Sequence, residues 1–292
     1  MSDHPIEKLV GQGTTHRPAT PPASPAPVVA MARAVPSHGP VAFTRTTWII
    51  TQRHVLRTWR TPQILVLSAV MPIMFVLLFR YVFGGSIHVP GYSSYVDYLI
   101  PGILVQTVLF GASSTAVGFA DDLSTGVTDR FRSLPIQRGA ILAARTIADV
   151  LRLSYTVGLL IGVALLVGFR MHTGVLPVLG GLAIAVFFGY ACSWAFVLLA
   201  LYVRHTETAQ LAAFCLTFPL VFAASTFIAP ATMPGVLRSF ADVQPVSKVA
   251  DALRALMEGT SSAGRPALSA LAWSAGILVV SASLAIWRFR KV

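Results

Sequence analysis

The sequence predicts an all-α integral membrane protein. It has six transmembrane helices, an N-terminal in-plane amphipathic helix, a cytoplasmic amphipathic helix and short external helices before the last span. Three observations carry this reading. Of 292 residues, 55% are hydrophobic and only 11% are charged, against about 25% in an average soluble domain; so few charges could not cover the surface of a soluble fold this large. The apolar residues also collect into six charge-free intervals, bounded by Arg60 and Arg80, Asp97 and Asp121, Arg152 and Arg170, Arg170 and Arg204, Glu207 and Arg238, and Arg265 and Arg288. The shortest holds 17 residues, which reaches the lower limit of about 17 for crossing the hydrocarbon core.

The third observation is where the net charge of +11 lies. Arg45, Arg53, Arg57 and Arg60 precede the first span. Arg130, Arg132, Arg138 and Arg145 fall between the second and third, and Arg288, Arg290 and Lys291 follow the last. The loop from Tyr81 to Val96 has no Lys or Arg. Basic flanks mark the cytoplasmic ends of membrane helices, so both termini are expected in the cytoplasm of a multi-pass cell-membrane protein. The same distribution accounts for the basic charge by topology and attraction to anionic lipid, with no nucleic-acid partner.

The elements follow in order. Residues 1–40 hold eight prolines and cannot bury enough apolar surface to fold alone, so a disordered cytoplasmic tail is expected. Residues 41–292 form the transmembrane domain. In Phe43–Arg60, Trp48, Ile49, Val55, Leu56 and Trp59 share one broad helical face, with Arg53, Arg57 and Arg60 beside it and Ile50 out of pattern. That is the pattern of a helix lying in the membrane interface, ended by Thr61-Pro62. The six spans are drawn at 63–83, 98–120, 146–169, 175–203, 208–229 and 267–287. Pro72, Pro101 and Pro219 sit inside spans, where neighbouring helices tolerate them. Gly158 and Gly162 form a GxxxG pair that suggests helix packing.

Two loops exceed what connection requires. In the cytoplasmic one, Leu123, Val127, Phe131 and Leu134 recur at helical spacing, and Leu134-Pro135 ends the stripe. Asp121 and Asp122 are expected to open this loop helix, where the N-terminal dipole favours acids. In the external one, Val249, Leu253 and Leu256 mark a short helix from Val246 to Met257.

The chain has no GxxxxGK[ST] to cradle a nucleotide, and no GxSxG or HExxH. Cys192 and Cys215 fall in spans as small apolar residues. The deep span interiors lack the acids and histidines that proton-coupled carriers use. Asp149 and Arg152 sit near the cytoplasmic start of the third span, spaced to pair on one face. If the chain transports, its energy comes from outside it. Gln106, Ser113, Ser114, Tyr155, Ser193 and Thr217 are the polar residues available to line a path, and none is assigned to substrate.

The segment Asp122-Leu-Ser-Thr-Gly126-Val-Thr-Asp-Arg130-Phe131-Arg-Ser-Leu134-Pro135-Ile-Gln-Arg138, then Ala144-Arg145, Asp149 and Arg152, resembles the permease subunits of ABC type-2 exporters. The branch is the daunorubicin-resistance and nodulation-factor-export type. Gln244-Pro245-Val246-Ser247, with Ala252-Leu253-Arg254-Ala255-Leu256 and Gly259, resembles the family's external stretch before the last span. The resemblance covers about Phe43 to Val292.

It implies two permease subunits, identical or related, on two ABC-type ATPase subunits that bind the ATP and magnesium; this chain holds no cofactor or metal and is not itself an enzyme. The loop after the second span would be the coupling helix, so Asp122, Gly126, Arg130, Phe131, Leu134, Pro135 and Arg138 are the expected ATPase interface. Trp48, Arg53, Arg57, Trp59 and Arg60 belong to the membrane-interface helix beside it. The cargo would be a hydrophobic or amphipathic drug, lipid or glycolipid. The alternatives are a polysaccharide exporter of the same superfamily and a membrane lipid-modifying enzyme holding a metal on Asp121 and Asp122. The latter lacks a third acid, since Thr125 stands where a DDxxD spacing would need one.

Overall fold

A computed structural model describes residues 44, 47–49, 51–52, 62–83, 89, 92, 94–125, 138–203, 205–259 and 262–291. All lie in one compact unit, Ser37–Val292, and among them there is no strand. The helices are α1 (Pro62–Leu78), α2 (Tyr95–Ser124), α3 (Arg138–Leu166), α4 (Val175–Val203), α5 (Thr206–Phe222), α6 (Gly235–Val243), α7 (Pro245–Glu258) and α8 (Gly264–Lys291). A π-helical turn, Phe79–Phe83, extends α1.

Four of the described helices are long and apolar enough to cross a membrane, over Tyr95–Ser124, Ala143–Leu166, Val175–Val203 and Gly264–Phe289. α1 and α5 are equally apolar but have 17 residues each. α4 matches the fourth expected span at both ends, and α7 matches the external helix to within a residue.

The differences have physical causes. α2 does not stop at Ala120 but carries Asp121 and Asp122 in its last turn. There the acids meet the negative end of the helix dipole, the reverse of the expected arrangement, and Arg145 compensates for it. α3 starts at Arg138 and not at Thr146, so Arg138 and Arg145 belong to a helix that continues past the apolar stretch. α5 ends at Phe222, seven residues before the expected end, because the backbone oxygens of Ser225 and Thr226 serve another residue instead of an intrahelical ladder.

α2 is the centre of the bundle. Leu99, Ile100, Ile103, Leu104 and Val105 are fully buried against α4, α5 and α7, and α8 closes over the far side of α4. Lipid tails are as apolar as these side chains, so close packing and not exclusion of water holds such helices together. Close approach therefore falls to glycines with a neighbour directly above them. A Cβ on Gly102 would overlap the Thr226 carbonyl, and one on Gly189 would overlap Val108. Gly158 and Gly162 are not among these, since a Cβ on either would meet nothing within 4 Å. Among the described residues the GxxxG pair thus meets no neighbouring helix; Gly158 lines an open apolar groove between α3 and α4 with Val150, Val157 and Phe187.

Candidate functional site

One end of the bundle is built where α2 finishes and α3 begins. Asp122 accepts from Nη1 of Arg145, and the Arg145 guanidinium lies 6.0 Å from the Phe119 ring centroid. One turn deeper, Asp149 accepts at 2.7 Å from the Thr115 hydroxyl. Arg152 donates to the Gly111 carbonyl at 2.9 Å, the Ser114 hydroxyl at 2.8 Å and Asp149 at 3.4 Å. The expected Asp149–Arg152 pairing is therefore present, and it bridges to α2 as well. These ion pairs are partly exposed. They fasten the end of α2 to the first turns of α3.

Gly126, Arg130, Phe131, Leu134 and Pro135 lie outside the described residues, and Arg138 enters as the first residue of α3. Of the membrane-interface residues, Trp48 is described and is 60% exposed; Arg53, Arg57, Trp59 and Arg60 lie outside. Thr47 and Thr51 are buried, and the Thr51 hydroxyl donates to the Ala144 carbonyl at 3.2 Å. That bond fastens this segment to α3, next to Arg145.

A cavity of about 250 Å³ opens between α1, α2 and α3, lined by Met71, Phe75, Gln106, Thr107, Ser114 and Arg152 among others. Gln106 is 4% exposed, and its amide oxygen has no hydrogen-bond partner among the described residues. Two of the polar residues singled out in the sequence, Gln106 and Ser114, thus come together on one cavity. The others do not join them: Ser113 and Ser193 donate to carbonyls of their own helices, and Thr217 is buried in α5.

At the opposite end, Arg254 of α7 is 3% exposed. It donates from Nε to the Tyr98 carbonyl at 3.1 Å and from Nη2 to the Ser225 and Thr226 carbonyls at 2.6 and 3.2 Å. Nη1 reaches the Ser225 hydroxyl and Asp251, both at 3.1 Å. The guanidinium sits 3.8 Å from the Tyr98 ring centroid, a cation–π distance. Ser247 accepts from the Ser225 amide at 3.0 Å and Gln244 donates to the Ala223 carbonyl at 2.7 Å. The Gln244-to-Arg254 motif is therefore a clamp that holds residues 223–226 unwound after α5, a role sequence spacing did not disclose.

Nearby, His172 Nδ1 lies 2.7 Å from Glu258 Oε2. Burial pushes the Glu258 carboxyl up to about 7, with the hydrogen bond from His172 pulling the other way.

Together these features define a multi-pass membrane protein made of apolar helices, with ion-paired helix ends on one side and a buried polar clamp on the other. The profile of the ABC-2 type transporter family matches residues 45–257, and the chain belongs to that family. It is 33% identical to the daunorubicin resistance ABC transporter permease protein DrrB1 of Streptomyces coeruleorubidus, over 92% of this chain and 95% of that one. It is 28% identical to the probable doxorubicin resistance ABC transporter permease protein DrrC of Mycobacterium tuberculosis, over 82% and 86% of the two chains. The chain is thus the permease subunit of an ATP-driven exporter, and ATP hydrolysis belongs to a separate ABC ATPase. The lipid-modifying enzyme reading is not favoured: Asp122 is engaged by Arg145, and the relatives are permeases.

Proposed function

We propose that this permease exports an amphipathic drug-like or lipid-like cargo, and that motion enters through the segment between Asp122 and Arg145. The observation that carries the proposal is the ion-paired base of α2 and α3, which would transmit any displacement of residues 126–137 to both helices. Phe131 and Leu134 would fill an apolar groove of the ATPase, with Gly126 and Pro135 shaping the helix and Arg130 and Arg138 on its polar rim. ATP binding would draw two ATPases together and shift the spans between two arrangements.

The cargo class rests on the resistance named for the relatives and on the cavity beside α1. Its walls are mostly apolar, and Gln106, Ser114 and Arg152 could meet the polar part of an amphipathic molecule. We read α1 and α5, with their outward Met71, Met74, Leu211 and Phe214, as two further spans at the short limit of about 17 residues. The total is then six, with both termini on the cytoplasmic side of the cell membrane. A second permease subunit and lipid would cover those outward faces. Trp48 would lie at headgroup depth, with Arg53, Arg57, Trp59 and Arg60 around it.

The test is affinity purification of the tagged chain from detergent-solubilised native membranes. A P-loop ATPase should co-purify in stoichiometric amount and be lost from the Phe131→Ala/Arg130→Ala variant. Equal recovery with that variant would remove residues 126–138 as the interface.

A further inference from the structure

Three residues far apart in sequence converge on the same end of the bundle as the Arg254 clamp. Asp97 lies in the first turn of α2 and is 3% exposed. His172 lies in the turn between α3 and α4, with its side chain 45% exposed. Glu258 closes α7, and its side chain is 3% exposed. One donor atom from each falls within 4.8 Å of the others.

The backbone is arranged to keep them there. The His172 amide donates to the Met257 carbonyl at 3.2 Å. The Thr173 hydroxyl donates to the Leu256 carbonyl at 2.6 Å. Gly259 ends α7 in the left-handed region, with φ 68°, which turns the chain away directly after the acid.

A His172–Glu258 ion pair explains the 2.7 Å contact and leaves the rest unexplained. A second carboxyl, that of Asp97, lies within 4.8 Å of the pair. Glu258 stands at the negative end of a helix dipole, where an acid is disfavoured. Its second oxygen, Oε1, is buried without a hydrogen-bond partner among the described residues. A buried carboxylate oxygen left without a donor is costly, and a cation would satisfy it.

We propose that Asp97, His172 and Glu258 form a divalent-cation site that ties the start of α2, the α3–α4 turn and the end of α7 together. One imidazole nitrogen and two carboxylate oxygens suit zinc or manganese better than calcium or magnesium. Zinc holds ligands at about 2.0–2.2 Å, leaving neighbouring ligands about 3.4 Å apart. The widest separation therefore has to close by up to about 1.4 Å and the 2.7 Å His172–Glu258 contact has to open by about 0.7 Å, with water completing the shell. The exposed edge of His172 is the entry path. This site is separate from the cytoplasmic interface and from Asp121 and Asp122.

The full-length chain in detergent, stripped with EDTA, is titrated with zinc alone by calorimetry. One zinc should bind per chain, with affinity reduced at least ten-fold in Glu258→Gln and in His172→Asn, and zinc should raise the melting temperature of the parent chain but not of His172→Asn. His172 is half-exposed, so its substitution tests the site even if Glu258→Gln folds poorly. Absence of zinc binding by the parent chain would overturn the proposal. So would parent-like affinity in His172→Asn, which would place any zinc on other histidines such as His4 or His16. The assay reads neither transport nor ATPase capture, so its failure leaves the exporter reading untouched.

Discussion

The two ends of this bundle are built on different principles. At one end Arg254 is buried and its guanidinium engages four residues, two of which, Ser225 and Thr226, lie in the unwound segment after α5. At the other, Asp122–Arg145 joins two neighbouring helices and Asp149–Arg152 spans one turn of α3, and both ion pairs are partly exposed. Removing one member of a buried polar cluster leaves its partners stranded in low dielectric. Exposed pairs contribute little and exchange readily with water. On the proposed reading the Arg254 end anchors and the Asp122 end moves, where the ATPase would act.

Arg254→Leu should break the contrast most strongly. It strands the Tyr98, Ser225 and Thr226 carbonyls and should cost roughly 3–5 kcal/mol, visible as loss of the monodisperse peak in fluorescence-detected size exclusion. Next comes Gly102→Ala, whose new methyl would collide with the Thr226 backbone. Overpacking of this kind costs about 1–3 kcal/mol and should lower the melting temperature in detergent without abolishing insertion. Arg145→Ala should cost about 1 kcal/mol or less in stability, yet uncouple: cargo-stimulated ATPase activity of the assembled complex should fall while the chain still purifies. The smallest effect belongs to Gly158→Ala. With nothing within 4 Å of the new Cβ and a better helix former in place of glycine, thermal unfolding should be unchanged or slightly later.

The same contrast explains what could be read from the sequence. The apolar runs declared the helices because period and length are local properties, and α4 runs from Val175 to Val203 as drawn. Where the reading failed, a distant partner decided the matter. α5 stops early because Arg254, some thirty residues on, takes the carbonyls that would have continued it. Asp122 looked like an N-terminal acid until α2 proved to run through it and Arg145 answered the charge. The GxxxG motif named the wrong glycines; Gly102 and Gly189 are close-packed, and no spacing rule marks them. Asp149 and Arg152 were legible because their contact is one helical turn long. Asp97, His172 and Glu258 were invisible as a group. Their one shared signal is that each falls at the same side of the membrane in the expected topology, in a helix end or a short turn.

The most direct test is hydrogen–deuterium exchange of the permease assembled with its ATPase, compared without nucleotide and with ATP trapped by vanadate. Peptides covering 121–146 should change protection on trapping, and those covering 95–104 and 223–258 should hold theirs. Unchanged exchange over 121–146, with the change appearing instead around Arg254, would contradict the assignment of the anchored and moving ends.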